Sequence, residues 1–186
     1  MKKGLIVWHA FMVFALFFAC NVVLNPAGEV SNLVKNGSFE TNGQPSLKYW
    51  MGKDSFSVQF SDNTPKNGGQ WSVVLPSHCF EPLNLRLAQF VNLHSGKHIL
   101  KLSFWAKGSN LPGRCALIRE TSDKQLVLEK EIGIQDTNWV QYALLDTIQL
   151  NKGEKIYVNL SGGSSEVAGG YTLYDLVSLT EAGNGD

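Results

Sequence analysis

The sequence predicts an all-β fold, an antiparallel sandwich whose first and last strands meet, on three observations. Apolar residues alternate with polar ones at the two-residue period of a half-buried strand through most of the chain, and no long window carries a helical stripe. Glycine-containing turn sequences separate these runs at short intervals. Two segments, NLVKNGSFE at 32–40 and YTLYDLVSLTE at 171–181, bracket the alternating region.

In chain order, the first element is a leader. Lys2 and Lys3 form a basic end, and every residue from Leu5 to Ala19 except His9 is apolar, ending at Ala19-Cys20. This is the layout of a secretory signal over 1–20, excluded from the fold. A small residue before a cysteine is also what a bacterial lipoprotein signal needs, which makes Cys20 the candidate lipidation site and the membrane a partner through a lipid anchor. Phe17 and Phe18 depart from the usual residues upstream of such a cysteine. Extension through Val22 to Leu24 approaches the roughly 20 apolar residues of an uncleaved anchor, and ordinary cleavage would leave a soluble exported domain. Residues 21–30, NVVLNPAGEV, have the Pro and Gly content of a short tether. Removing Cys20 from the three cysteines leaves Cys79 and Cys115. In an exported protein these either form a disulfide or stay as two small buried thiols.

The domain proper is expected at 31–180, with strands at 31–40, 55–60, 70–75, 86–93, 98–107, 114–120, 125–132, 138–145, 155–161 and 171–180. Turns at NGG (67–69), HSGK (94–97), NLPG (110–113), TSDK (121–124) and NKGEK (151–155) join them. In HILKLSFWAK, Leu100, Leu102, Phe104 and Ala106 share one face, and Lys101, Ser103, Trp105 and Lys107 the other. Ile156, Val158 and Leu160 point one way while Tyr157 and Asn159 point the other. The one place for a helical turn is around Ser77 to Leu85, and EAGNGD at 181–186 is a tail expected to fray.

Sixteen basic and sixteen acidic residues cancel, and no basic patch or charge run exists to draw nucleic acid, so that class of partner is excluded. The four histidines are dispersed, and no HExxH, CxxC or nucleophile-elbow signature occurs. Casting Tyr157 and His78 as polysaccharide-lyase residues has no spacing to support it, so an enzyme is not expected. The sequons at Asn36 and Asn159 are set aside because the leader looks bacterial.

NLVKNGSFE followed by Trp50, NGGQWSVVL, LAQFVNL, LKLSFWAKG, TNWVQYALL and YTLYDLVSL stand in the order found in CenC-like carbohydrate-binding modules. Residues 31–180 thus resemble that group, which belongs to the galactose-binding-like jelly-roll superfamily. The resemblance implies a two-sheet jelly roll with a concave face and a structural calcium where the first and last strands meet. Calcium takes about 6–8 oxygen ligands. The positions that match are Glu40, Asp175 and carbonyls of the turn from Lys66 to Gly69. Leu176 stands where the family more often has a second Asp or Asn.

A sugar site of this kind needs flat aromatic faces and a few polar groups to read hydroxyls. Trp50, Trp71 and Trp139 fall where the pattern needs packing residues. Trp105 is the exception, expected on the concave surface if Phe104 is in the core. The polar set on comparable strands is Gln89, Arg119, Tyr157 and Asn159, with Arg86 and Glu120 nearby, although Arg86 and Gln89 cannot face the same way in one regular strand. Phe80, in the irregular segment PSHCFEPLNLR, either walls a cleft or pins its loop. The expected function is that of a non-catalytic, carbohydrate-binding envelope lipoprotein in the periplasm or at the cell surface, with a polysaccharide or oligosaccharide as partner. The alternatives are a structural or protein-interaction jelly roll contacting other envelope proteins and, less favoured, a lyase.

Overall fold

The computed structural model describes residues 31–77, 85–109, 112–163 and 170–182. The leader with Cys20, the tether, Cys79 and Phe80 lie outside the described residues.

Eleven strands and one 3-10 turn (Lys53–Phe56) are found among the described residues. A small hairpin, β1 (Glu40–Thr41) and β2 (Gln44–Pro45), precedes the two main sheets. The five-stranded sheet has the order β3 (Gln59–Ser61), β4 (Ser72–Pro76), β11 (Tyr171–Glu181), β6 (Gly96–Gly108) and β9 (Val140–Leu150). The four-stranded sheet has the order β5 (Leu87–Val91), β10 (Lys155–Ser161), β7 (Gly113–Glu120) and β8 (Leu126–Ile134). All pairings are antiparallel, as the all-β sandwich expected from the sequence requires.

Alternation assigns the core. Leu100, Leu102, Phe104 and Ala106 of β6 face Cys115 and Leu117 of β7 and Ile156, Val158 and Leu160 of β10, all buried in one apolar cluster with Val73, Leu75, Tyr174, Val177 and Leu179. Tyr174 links the sheets. Its ring is wholly buried in this core, and its hydroxyl reaches two carbonyls of the other sheet, Ser161 O at 2.6 Å and Arg114 O at 3.0 Å.

The first segment does meet the last strand, though not as the strand expected at 31–40. Leu33 N–H donates to Leu179 O (2.8 Å) and Val177 N–H to Gly37 O (2.9 Å), while Asn36 and Phe39 adopt φ of 52° and 55°. These left-handed residues turn the chain twice within NGSFE, so pairing is intermittent and only Glu40–Thr41 is strand. Gly37 is required by proximity: a Cβ there would sit 1.9 Å from Val177 O.

One further expectation is corrected. Glu181 does not fray. It ends β11 opposite Leu100 and its Oε1 lies 2.8 Å from His98 Nδ1, with Ala182 N–H donating to Ile99 O just beyond. Cys115 is wholly buried with a free thiol, alternating inward with Leu117 into the sandwich core, and Cys79, the partner considered for it, lies outside the described residues. Burial alone pushes that thiol well above its ordinary range.

Candidate functional site

Two separate places gather the residues expected to matter. At the first, Glu40 and Asp175 come together against the turn 65–69. That turn closes through Gly68 N–H donating to Pro65 O (2.9 Å), with Asn67 at φ 68°. Its two glycines are cradled by the carboxylates: a Cβ on Gly69 would lie 1.8 Å from Glu40 Oε1, and one on Gly68 would lie 2.6 Å from Asp175 Oδ2. Glu40 Oε2 accepts from Gln70 N–H at 2.9 Å, and Asp175 Oδ1 accepts from Leu176 N–H at 2.7 Å. Lys66 lies in the same turn with its side chain exposed. A bulge after Asp175, with Leu176 at φ 50°, turns Val177 back into the core.

The electrostatics of this nook are unfavourable as the chain stands. Asp175 is fully buried and its Oδ2 has no hydrogen-bond partner among the described residues. Burial, partly offset by the Leu176 N–H bond and reinforced by the charge of Glu40, raises its pKa from 3.8 to about 7. A buried carboxyl oxygen without a partner, a second carboxylate beside it and a glycine turn that admits close approach make a donor set suited to a hard cation. Among the described residues no group of three or more His, Cys, Asp or Glu side chains gathers to hold a metal. An ion at Glu40 and Asp175 would therefore draw its remaining ligands from backbone carbonyls or water, which calcium accepts readily.

The second place is the outer face of the four-stranded sheet. Register lays side chains in rows across the strands. One row runs Phe90, Tyr157, Ile118, Leu128, and the next runs Met51, Ala88, Asn159, Ala116, Glu131, with Met51 joined to Ala88 by an isolated bridge. Ser161 and Arg114 stand opposite each other in the row beyond. Ala88 and Ala116 flank Tyr157 and Ile118 in these rows, and all four are buried, so the exposed apolar surface of this face, called the groove below, is its Phe90, Leu128 and Met51 rim. Its floor forms a second apolar cluster apart from the main core, made of Ala88, Ala116, Ile118 and Tyr157 with Leu85 and Leu126 packed against it. Phe90 and Tyr157 are tilted partners with ring centres 5.9 Å apart, and Tyr157 Oη donates to Glu120 Oε2 at 3.3 Å. Burial, then the Glu120 charge, holds that phenol above its ordinary range.

The polar set expected from the sequence is divided by this geometry. Tyr157 and Asn159 do share the groove, and Asn159 Oδ1 accepts from Arg86 N–H at 2.8 Å. Trp105 does not join them. It belongs to the five-stranded sheet, on the outer side of the sandwich opposite the groove, paired with Asp175 on one side and Gln141 on the other. Gln89 faces inward, where its amide accepts from Lys35 N–H (2.6 Å) and donates to Lys35 O (2.7 Å). It satisfies backbone rather than facing the groove. Arg119 is held by two carboxylates, Glu129 at 2.5 Å and Glu154 at 2.9 Å, an ion triad that ties β7, β8 and the turn before β10 together.

Sequence reasoning missed Phe90, Met51 and the alanines. The signal was present for Phe90: once Leu87, Gln89 and Val91 are inward, Ala88 and Phe90 must be outward.

Comparison with protein-family models gives no match, and comparison with curated proteins gives none. Solved structures do match. A family 61 carbohydrate-binding module in complex with β-1,4-galactotriose superposes with a TM-score of 0.53 at 21% identity, over 82% of this chain and 99% of the other. The CBM22-1 xylan-binding domain of Paenibacillus barcinonensis Xyn10C gives 0.52 at 14% identity, over 82% and 95%. A family 16 carbohydrate-binding module gives 0.55 at 16%, over 81% and 100%. Across nearly the whole length of each of these modules, the described chain has the jelly-roll fold of carbohydrate-binding modules.

Proposed function

We propose that the protein is a non-catalytic carbohydrate-binding protein that lays a glycan across the strands of the four-stranded sheet. Phe90, exposed and packed against the buried Tyr157, supplies the apolar wall for pyranose faces, and the polar groups along the same face read hydroxyls. The observation that carries this reading is the distribution of exposed apolar side chains. Among the described residues Tyr49, Met51, Phe90 and Leu128 gather on this face or its edge, while only Leu145 and Tyr171 are exposed elsewhere. The cluster beneath is buried, so the exposed rim of Tyr49, Met51, Phe90 and Leu128 is the apolar surface left for a ligand to cover.

The same proposal includes a structural calcium held by Glu40 and Asp175, which would neutralise the buried carboxylate and pin the first segment to β11. It also includes export and anchoring in the bacterial envelope through lipidated Cys20, supported by the basic, apolar and Ala-Cys layout of the leader. Kinship with the CenC-like group is part of it, supported by the shared fold and by the motifs from NGSFE to YDLVSL.

The test is affinity electrophoresis against a panel of soluble polysaccharides. Retardation by at least one glycan is expected, weakened about tenfold or more in Phe90→Ala, a loss in keeping with removal of one stacking aromatic. The same substitution should leave the melting temperature nearly unchanged, because Phe90 is 40% exposed. Absence of retardation across neutral and acidic glycans would refute the reading.

A further inference from the structure

The β5 edge of this face carries positive charge that no described carboxylate pairs. Lys48 Nζ sits 5.2 Å and Lys35 Nζ 5.4 Å from the centre of the Tyr49 ring. Neither lysine forms an ion pair with any described residue. The other groove cations are compensated: Arg114 pairs with Glu131, Arg86 with Asp54, Arg119 with Glu129 and Glu154, and Lys124 and Lys155 with Glu120.

The two lysines are held rather than incidental. Both ends of the buried Gln89 amide grip the backbone of Lys35, which fastens that residue to the inward side of β5. Lys48 and Tyr49 lie in a turn closed by Trp50 N–H donating to Leu47 O (2.8 Å). The Trp50 indole is buried against Phe39 and donates to Asn36 O (3.0 Å). Met51, just beyond, is bridged to Ala88 in the groove.

Tyr49 itself is 49% exposed at φ 76°. Three of the other positive-φ positions, Asn36, Asn42 and Asn67, carry the residue type that tolerates this region. A bulky aromatic there is strained, and two ammonium groups flank its ring.

We propose that Lys35, Lys48 and Tyr49 form a subsite for the acidic group of an anionic glycan, a carboxylate or a sulfate ester, at the β5 end of the groove, with Gln89 as the positioning residue for Lys35. The subsite rests on the groove reading above and narrows it to a ligand class. Because the whole chain carries equal numbers of acidic and basic residues, general attraction for polyanions does not account for such a preference. The local pair, with no ion-pair partner among the described residues, does.

The test uses matched polysaccharides: polygalacturonate against its methyl ester for carboxylates, and carrageenan against agarose for sulfates. The wild-type protein should be retarded by one or both acidic members about tenfold more strongly than by the neutral partner, as one or two charge-assisted contacts would give. The arm that responds identifies the acidic group. K35Q/K48Q should abolish the preference with an unchanged melting temperature, and K101Q/K152Q, an equal charge change at two exposed lysines elsewhere, should preserve it. Equal retardation by acidic and neutral members, or equal losses in the two double variants, overturns the subsite and leaves the groove standing. Retardation by none of the four overturns the subsite and, with a wider panel also silent, the groove.

Discussion

Replacing Asp175 by Asn tests the acidic nook with a sign that ordinary mutational reasoning would not give. Asp175 is wholly buried, and its pKa rises from 3.8 in the unfolded reference to about 7 in the fold. The native state therefore holds this proton longer than the unfolded chain does. Between about pH 4 and pH 7 calcium-free stability should fall as pH rises, and above pH 7 the full cost of the ionised, buried group is present. A shift of about 3 units corresponds to about 4 kcal/mol. Asparagine keeps an oxygen to accept the Leu176 N–H and removes the charge facing Glu40. In EDTA at pH 8, Asp175→Asn should thus raise the melting temperature, by up to about 8–16 °C for a domain of this size. In the wild type, calcium should recover much of the same stabilisation at pH 8 and much less at pH 5, where Asp175 is protonated. In Asp175→Asn the response to calcium should vanish. Differential scanning fluorimetry in EDTA and in calcium at the two pH values reads all of these quantities. A calcium-free variant less stable than the wild type at pH 8, or a wild type indifferent to calcium, would refute the argument.

Three further outcomes follow from the packing. Tyr174→Phe should cost about 1–2 kcal/mol in urea unfolding, since Ser161 O and Arg114 O lose a buried donor while the ring volume is kept. In a C20S/C79S variant, the remaining Cys115 should be inert to Ellman's reagent in the native state and react in denaturant, because its thiol is buried and held protonated. Gly37→Ala should cost about 2–4 kcal/mol, measured by the same urea titration, because its methyl collides with Val177 O and breaks the junction of the first segment with β11.

Much of the fold was legible because a period of two is a local property. The inward set Leu100, Leu102, Phe104, Ala106 and the inward set Ile156, Val158, Leu160 both hold, as do the outward Tyr157 and Asn159. The meeting of Glu40 with Asp175 was legible for a different reason, since it follows from the two bracketing segments closing on each other. Sheet membership was not legible. Alternation places Trp105 outward from its own strand, but pairing of β6 with β11 and β9 decides which sheet that strand joins, and so the outer face on which the indole stands. Bulges hide from local reading too: Lys130 pairs with Leu117 and Leu128 with Ile118, so Glu129 is the extra residue of β8, and it pairs with Arg119. The Tyr49 turn escaped notice because its left-handed backbone is set by the anchoring of Trp50 at Asn36, a contact across the fold.

The most direct measurement is amide chemical-shift mapping with a retained oligosaccharide titrated into the isotope-labelled protein. Shifts concentrated at Ala88, Phe90, Ala116, Ile118, Tyr157 and Asn159 are the predicted result. Shifts concentrated instead at Ser103, Trp105, Lys107 and Gln141, on the opposite face of the sandwich, would contradict the account.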